Sequence, residues 1–295
     1  MRKLVIPCLV LAAAAALAVA ATATGASSTA AAKAAIPGCA VDNLNLVSDG
    51  TLTIGADNPA FPPWFGGAEK TKPWKVSDPY SGKGYESAVA YAVAQQLGFP
   101  KSKVKWTVVP FTNSFRPGDK PFDLYLTQVS FTPERAKAVD FSNSYYFVNQ
   151  SGVGRKGQPI AKVKSIAGLR PFKLGAQVVT TSYNYIKRFI RPSSSPLVYD
   201  TNDAAVQALK NGQIDGIVVD LPTAFYVTAV QADDGVIVGK LPTRGTKERF
   251  GMVFEKGNTL RRCVNRAINR LWANGTVKKL QQKWLAQSAP DLSWR

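Results

Sequence analysis

The sequence predicts a two-part α/β protein in which each part is built around its own sheet. Short apolar runs typical of buried strands alternate with amphipathic helices, and polar residues directly follow several of the strands. A first series of this kind ends near residue 146, and a second begins near residue 172. About 255 residues follow the N-terminal leader, which is enough for two domains of ordinary size. The two series share a plan but show no sequence repeat.

Residues 1–35 have the layout of an export leader. Arg2 and Lys3 precede an apolar run, and a stretch of small residues follows it. This order is typical of a secretory signal peptide, so we expect cleavage between Ala21 and Ala35 and a periplasmic or secreted protein. A membrane anchor is the alternative, but no basic stop sequence follows the alanine-rich core. No later apolar run reaches the roughly 18 residues of a spanning helix, so we expect the mature protein to be soluble.

The cysteines predict one disulfide. Cys8 lies in the leader, which leaves Cys39 and Cys263 in an exported protein. In an oxidising compartment these two are expected to pair, which would join the mature N-terminus to a helix near the C-terminus. The alternative is a lipidated Cys39, because the small residue Gly38 precedes it. Its distance from the apolar core and the presence of Pro37 count against lipidation.

The charge and composition exclude several classes of function. The chain has a formal net charge of +18, but its basic residues are scattered, with no zinc-finger spacing or aromatic RNA-binding motif. A solvated basic surface is therefore favoured over nucleic-acid binding. The chain has no histidine, which removes histidine-based triads and the commonest metal ligand. We expect no metal and no cofactor.

The first series opens with a strand at residues 51–56 that runs into Asp57 and a proline-rich loop. Three prolines preclude regular structure there and hold Phe61 and Trp64 on the loop. Aromatic side chains fixed in this way make a good wall for a ligand. A loop that only fills its own core is the alternative.

A helix, two strands and another aromatic residue continue this series. The helix runs from Gly84 to Gly98, and its apolar positions recur at helical spacing. A strand at residues 104–109 leads to Phe111, a further candidate for a pocket wall. The next strand, at residues 122–127, leads directly into the most informative segment.

Residues 130–141 combine a helix start with a cation. Thr132 is suited to cap the helix, Pro133 to occupy its first position, and Glu134 to complement its positive end. Arg135 then lies beside free backbone N–H groups, and its guanidinium fits a carboxylate through two parallel hydrogen bonds. The segment suits the capture of a small organic acid, although an ordinary helix start with a solvated Arg has the same pattern.

A predicted strand of the second series ends in an acidic residue, Asp220. Asp220 follows a buried strand at residues 214–220, where it could contact a ligand or cap the helix that begins at Leu221. The other predicted elements are strands at 145–148, 172–177, 198–200 and 250–255, a helix start at 180–182 with its helix at 183–190, a helix capped by Asn202, a helix capped by Asn258, and a last helix containing Val277, Leu280 and Trp284.

Several of these segments form one family pattern. The most specific is Ser-Phe-Thr-Pro-Glu-Arg at 130–135, followed by Val-Asp-Phe-Ser at 139–142 and Tyr-Tyr at 145–146. The supporting segments are Asp57 with its Phe-Pro-Pro-Trp loop, Gly-Gln-Ile-Asp-Gly at 212–216 with Asp220, and Asn-Gly-Thr at 274–276 ahead of Lys-Trp-Leu at 283–285. From about residue 50 to 285 the chain resembles the bacterial extracellular solute-binding proteins of family 3, the polar amino-acid receptors of ABC importers.

The resemblance implies a type II periplasmic-binding-protein fold with a ligand cleft between two lobes. Lobe 1 would comprise residues 41–146 and 248–290, and lobe 2 residues 147–247. Two crossover hinge strands, near 145–149 and 244–248, would let the lobes close on the ligand. The expected protein is a monomer that delivers an amino acid to the membrane permease of an ABC importer.

The resemblance also implies the ligand contacts. Arg135 would grip the α-carboxylate and Asp220 the α-ammonium, and Asp57 lies where it could meet the side chain. The remaining expected contacts are hydrogen bonds from Thr127 and Ser130, aromatic walls from Phe61, Trp64 and Phe111, and second-lobe contacts from Gln177 and Thr181. One departure is Val179, which stands where the family usually has glycine. Another is Gly-Tyr-Glu at 84–86, where the family has Gly-Phe-Asp.

Two other functions share this pattern. A dehydratase acting on prephenate or arogenate would need a general acid or base, and Glu86 and Asp57 are the candidates. Nothing in the sequence marks either as catalytic, so we expect no enzyme. A soluble ligand-sensing domain is the second alternative. The sequence does not identify the side chain of the ligand. Asp57 beside aromatic residues suits a cationic amino acid, whereas the net positive charge of the chain favours an acidic one. Glutamine fits equally well.

Overall fold

The computed structural model describes residues 35–287 and 289–294. The predicted signal peptide lies almost entirely outside these residues, as does Cys8. The described chain forms two α/β lobes, each with a five-stranded sheet, as the sequence predicted. None of the described helices has the length and apolar character that crossing a bilayer requires.

The first lobe begins with a strand that is buried along its whole length and a helix that starts on the proline-rich loop. The first N–H groups of this helix donate to loop carbonyls, from Tyr85 to Pro63 at 2.9 Å and from Glu86 to Trp64 at 2.8 Å. Gly84 makes this contact possible, because a Cβ there would lie 2.4 Å from Phe65 Cα. The elements are β1 Leu52–Ala56, α1 Tyr85–Gln96, β2 Val104–Val108, α2 Phe111–Ser114, β3 Leu124–Tyr125, α3 Arg135–Ala138 and β4 Asp140–Phe141.

The second lobe follows the first crossover strand. Its helix α5 is capped by Thr201, whose side chain accepts from the Ala204 N–H at 3.1 Å, and not by Asn202 as the sequence suggested. Helices α4 and α6 continue as π-helical turns. The elements are β5 Tyr146–Phe147 in the crossover, then β6 Gln150–Arg155, β7 Leu174–Gln177, α4 Thr181–Tyr185, β8 Leu197–Tyr199, α5 Asn202–Lys210, β9 Gly216–Asp220, α6 Leu221–Tyr226 and β10 Gly235–Lys240.

The chain then crosses back to complete the first lobe. Strand β11 (Arg249–Phe250) pairs antiparallel with β5, so the two crossover strands lie side by side. The first sheet has the order β2-β1-β3-β12-β4, and the second β10-β6-β9-β7-β8. The exact residue limits of the lobes stay predictions. The last elements are β12 Val253–Phe254, α7 Leu260–Ala273 and α8 Thr276–Leu285.

The predicted disulfide is present. The sulfur atoms of Cys39 and Cys263 are 2.02 Å apart, and both residues are buried. The bond fixes the start of the described chain to helix α7.

The C-terminal tail, residues 289–294, lies against the second lobe, which the sequence analysis did not anticipate. Lys240 donates its backbone N–H to the Pro290 carbonyl at 2.7 Å, and Leu292 donates to the Lys240 carbonyl at 2.9 Å. The Leu292 side chain is only 4% exposed and belongs to the second-lobe core. Gly239 permits this approach, because a Cβ there would lie 2.8 Å from Leu292 Cγ. The tail is thus a third link between the lobes.

Candidate ligand-binding site

A cavity of about 160 Å³ lies between the lobes, beside the carboxyl ends of strands from both sheets. Ligands in open α/β sheets bind at such strand ends. Trp64 is the one predicted contact that does not line the cavity. The nine predicted contacts that do are Asp57, Phe61, Phe111, Thr127, Ser130, Arg135, Gln177, Thr181 and Asp220.

Arg135 begins its helix two residues later than the sequence predicted, and Glu134, not Thr132, flanks the helix start. The Arg135 backbone N–H donates to Thr132 Oγ1 at 3.1 Å, although the helix that follows is only four residues long. Its guanidinium donates through Nη1 to the Ser130 carbonyl at 2.7 Å, and lies 4.4 Å from the ring centroid of Phe115. Burial lowers the pKa of Arg135 to about 10, and nearby carboxylates oppose this shift. The side chain therefore keeps its charge at neutral pH.

Val179 connects the second lobe to this arginine. Its carbonyl accepts a hydrogen bond from Arg135 Nη2 at 2.9 Å. Val179 itself has a φ of 53°, a left-handed conformation that is costly for a β-branched residue. The residue that replaces the usual glycine thus takes the backbone conformation that glycine favours. Two of the five guanidinium donors hold backbone carbonyls, and the others stay available to a ligand.

Asp220 is held by a side chain and does not cap its helix. The helix that follows receives no side-chain hydrogen bond from it. Asp220 Oδ1 instead accepts from Gln150 Nε2 at 2.7 Å. The same amide nitrogen donates to Glu248 Oε2 at 3.0 Å. Burial, and then the neighbouring charge of Glu248, raise the pKa of Asp220 well above its usual range. A ligand cation at this position would favour the ionised form.

Glu248 is a site residue that the sequence analysis missed. It comes from the second crossover, and its Oε1 accepts from Ser130 Oγ at 2.5 Å. Ser130 Oγ also lies 3.4 Å from Thr181 Oγ1 in the other lobe. Glu248 lies in a basic run, Arg-Gly-Thr-Lys-Glu-Arg, which gave no sign of its contact with Ser130. Glu248 therefore couples the crossover to both sides of the cavity.

Asp57 and the aromatic walls form the opposite part of the cavity. The Asp57 N–H donates to Thr127 Oγ1 at 3.0 Å, and its carboxylate accepts from the Asn58 N–H at 2.8 Å. The Phe61 ring lies 5.7 Å from that of Tyr226 in the second lobe. Burial raises the pKa of Asp57, and hydrogen bonds from the backbone N–H groups of Asn58 and Phe111 to its carboxylate oppose the shift.

Trp64 has a different position from the one expected. It is 1% exposed, and its ring lies among Tyr85, Tyr146 and Phe250. Its Nε1 donates to Thr223 Oγ1 of the second lobe at 3.1 Å. It therefore joins the lobes behind the cavity wall.

A buried carboxyl group supports the cavity from behind. Glu86 is fully buried and accepts hydrogen bonds from the Gln128 backbone at 2.7 Å and from the Tyr145 hydroxyl at 2.5 Å. Gln128 lines the cavity with a left-handed φ of 46°. Burial raises the pKa of Glu86 to about 7. Of the two candidates for a general acid or base, only Asp57 therefore reaches the cavity.

Comparison with known proteins identifies the family. Residues 65–287 match the profile of the bacterial extracellular solute-binding proteins, family 3. The chain belongs to this family. Among curated relatives, the L-cystine-binding protein TcyJ of Escherichia coli is 27% identical over 246 residues, which cover 82% of this chain and 85% of the relative.

Solved structures of amino-acid-binding proteins have the same fold. An ancestral arginine-binding protein bound to arginine is 28% identical with a TM-score of 0.61, and the match covers 80% of this chain and 99% of that one. The ancestral amino acid-binding protein AncCDT-1, a precursor of cyclohexadienyl dehydratase, is 29% identical with a TM-score of 0.61 and coverages of 80% and 95%.

Proposed function

We propose that this protein captures an amino acid in the cavity between its lobes, outside the cytoplasm, and delivers it to an ABC importer. The observation that carries the proposal is that Arg135 and Asp220, which come from different lobes, line one cavity. Arg135 is the only Lys or Arg among the described residues of its lining. Relatives described as amino-acid-binding proteins support this function.

The cavity provides what a zwitterion needs. Arg135 is placed to bind the α-carboxylate, because its free N–H donors match a carboxylate in geometry and charge. Asp220 is placed to bind the α-ammonium from the other lobe. Ser130, Thr127 and Thr181 offer hydroxyl groups between these two charges. Gln177, Phe61 and Phe111 would surround the side chain of the ligand.

Contacts between the lobes suit a mechanism of closure around the ligand. Hydrogen bonds join Arg135 to Val179 and Trp64 to Thr223 across the cleft. These contacts require the closed arrangement, so a ligand that bridges Arg135 and Asp220 would favour the same arrangement. The importer would then receive a closed, loaded protein.

A thermal-shift screen of the twenty amino acids tests the proposal. A ligand at 100 times its Kd stabilises the folded state by about 2.7 kcal/mol, so a true ligand raises the Tm clearly. Incubation with prephenate, with detection of aromatic product, is the parallel assay for a dehydratase. We expect a shift with at least one amino acid and no aromatic product. Turnover of prephenate without any amino-acid shift would contradict the proposal.

A further inference from the structure

We infer that the amino acid taken by this cavity has a cationic side chain of the arginine or lysine type. The inference rests on the proposed function, since it starts from the α-groups placed on Arg135 and Asp220. It concerns the charges and hydrogen-bond donors of the cavity that remain once those groups are bound.

The lining of the cavity carries more negative than positive charge. Its charged residues are Asp57, Asp203, Asp220 and Arg135. Arg135 and Asp220 are complemented by the ligand's own α-groups, which leaves Asp57 and Asp203. The ion pairs found among the described residues involve neither of these carboxylates. The cavity is therefore acidic although the chain as a whole carries a net charge of +18.

Asp57 is held in a fixed position between apolar walls. Backbone N–H groups of Asn58 and Phe111 donate to its carboxylate, and its own N–H is bound by Thr127. Phe61 lines the same cavity, and aromatic faces attract cations, whereas the Phe111 ring already faces the Arg135 guanidinium at 5.5 Å. A cationic side chain would complement a partly buried charge that has no ion-pair partner in the described part of the chain. An acidic side chain would meet a like charge there.

Three of the four amide side chains that line the cavity, those of Asn58, Gln128 and Gln177, already donate a hydrogen bond within the protein. Asn58 Nδ2 donates to the Pro73 carbonyl at 2.9 Å, and Gln177 Nε2 to the Asp200 carbonyl at 3.1 Å. The Gln128 amide donates to the Glu86 carboxylate. One N–H of each of these three amides is thus used within the protein, whereas the ionised carboxylates of the lining can only accept hydrogen bonds. This favours a ligand side chain that donates hydrogen bonds.

Asp203 adds a second carboxylate from the other lobe. It is exposed in the first turn of α5, and its Oδ1 accepts from Gln231 Nε2 at 2.8 Å. Asp57 and Asp203 therefore come from opposite lobes. A long cationic side chain would complement negative charge contributed by both.

Calorimetry with L-arginine and L-citrulline tests the inference, because citrulline replaces the guanidinium by a neutral group of nearly the same shape. A hydrogen bond to a charged group contributes about 1.5–3 kcal/mol, so we expect the wild-type protein to bind arginine at least about tenfold more tightly. L-lysine against L-norleucine is the second pair. Asp57→Asn should reduce the ratio of arginine to citrulline affinity severalfold, and a circular dichroism spectrum like that of the wild type would show that the variant is folded.

Asp42→Asn is the control, because it makes the same change of charge at an exposed residue that does not line the cavity. It should leave the arginine-to-citrulline ratio unchanged. Equal or weaker binding of arginine, or tighter binding of L-glutamate, would overturn the inference. If that glutamate binding were lost in Arg135→Ala, the proposed function would stand. If no amino acid bound at all, the proposed function would fail as well.

Discussion

Glu86 is one residue through which stability should depend on pH. The chain has no histidine, so carboxyl groups with raised pKa values dominate titration near neutrality. Burial raises the pKa of Glu86 from 4.5 to about 7 in the folded state. Between these values the folded state binds more protons than the unfolded state, so stability falls as the pH rises. The expected loss is about 3 kcal/mol, complete above pH 7.

Urea unfolding of the wild type and Glu86→Gln at pH 4.5 and pH 8 measures this effect. Glutamine does not titrate, so the variant should lose less stability between the two pH values. Parallel pH dependence in the two proteins would exclude Glu86 as the source.

Asp220 should release a proton when the ligand binds. Its pKa is raised well above the usual range by burial and by Glu248, and a bound ammonium group would lower it. Affinity should therefore increase with pH until the free protein is ionised. Calorimetry at pH 7 in two buffers of different ionisation enthalpy would detect the release of up to about one proton per ligand. Identical heats in both buffers would count against an ammonium contact at Asp220.

The sequence predicted local features of the site better than long-range ones. The hydrogen bond between the Arg135 N–H and Thr132 follows from one short motif, because it joins residues three positions apart. Glu248 was missed because its contacts join residues 98 and 118 positions apart, and Gln150 because its contacts with Asp220 and Glu248 span 70 and 98 positions. The hydrophobic periodicity of a sequence does not indicate such a contact. The same applies to Trp64, whose partner lies in the other lobe.

Among the structural elements, the C-terminal tail makes a contribution to stability that can be measured directly. Leu292 is buried in the second-lobe core, and truncation of a buried Leu to Ala costs about 2–5 kcal/mol. We expect Leu292→Ala to lower the free energy of unfolding by about this amount. Gln287→Ala, which changes an exposed residue before the tail, should have little effect. Equal stabilities of the two variants would show that the tail is not held on the second lobe.

The disulfide should stabilise the chain at the level of elements as well. Cys39 and Cys263 are 224 residues apart, and removal of a native disulfide typically costs about 2–5 kcal/mol. The Cys39→Ser/Cys263→Ser double variant should therefore unfold at lower urea concentration than the wild type. An unchanged midpoint under non-reducing conditions would contradict a stabilising bond.

At the scale of the whole molecule, the two lobes place Arg135 and Asp220 on one cavity, although neither lobe contains both residues. The α/β alternation predicted the two sheets, since strand and helix periods are local properties. The tail crossing was not predicted, because the last residues of the sequence have no such period. The proposed function depends on Arg135, which we expect to bind the ligand's α-carboxylate in the cavity.

Calorimetry of the wild type, Arg135→Ala and Lys137→Ala, with the amino acid that gives the largest thermal shift, tests this claim most directly. Lys137 is the matched control, because it is an exposed cation two residues away that does not line the cavity. We predict that Arg135→Ala weakens binding by about 2 kcal/mol or more, roughly thirtyfold, while Lys137→Ala binds like the wild type. Undiminished affinity in Arg135→Ala would contradict the account.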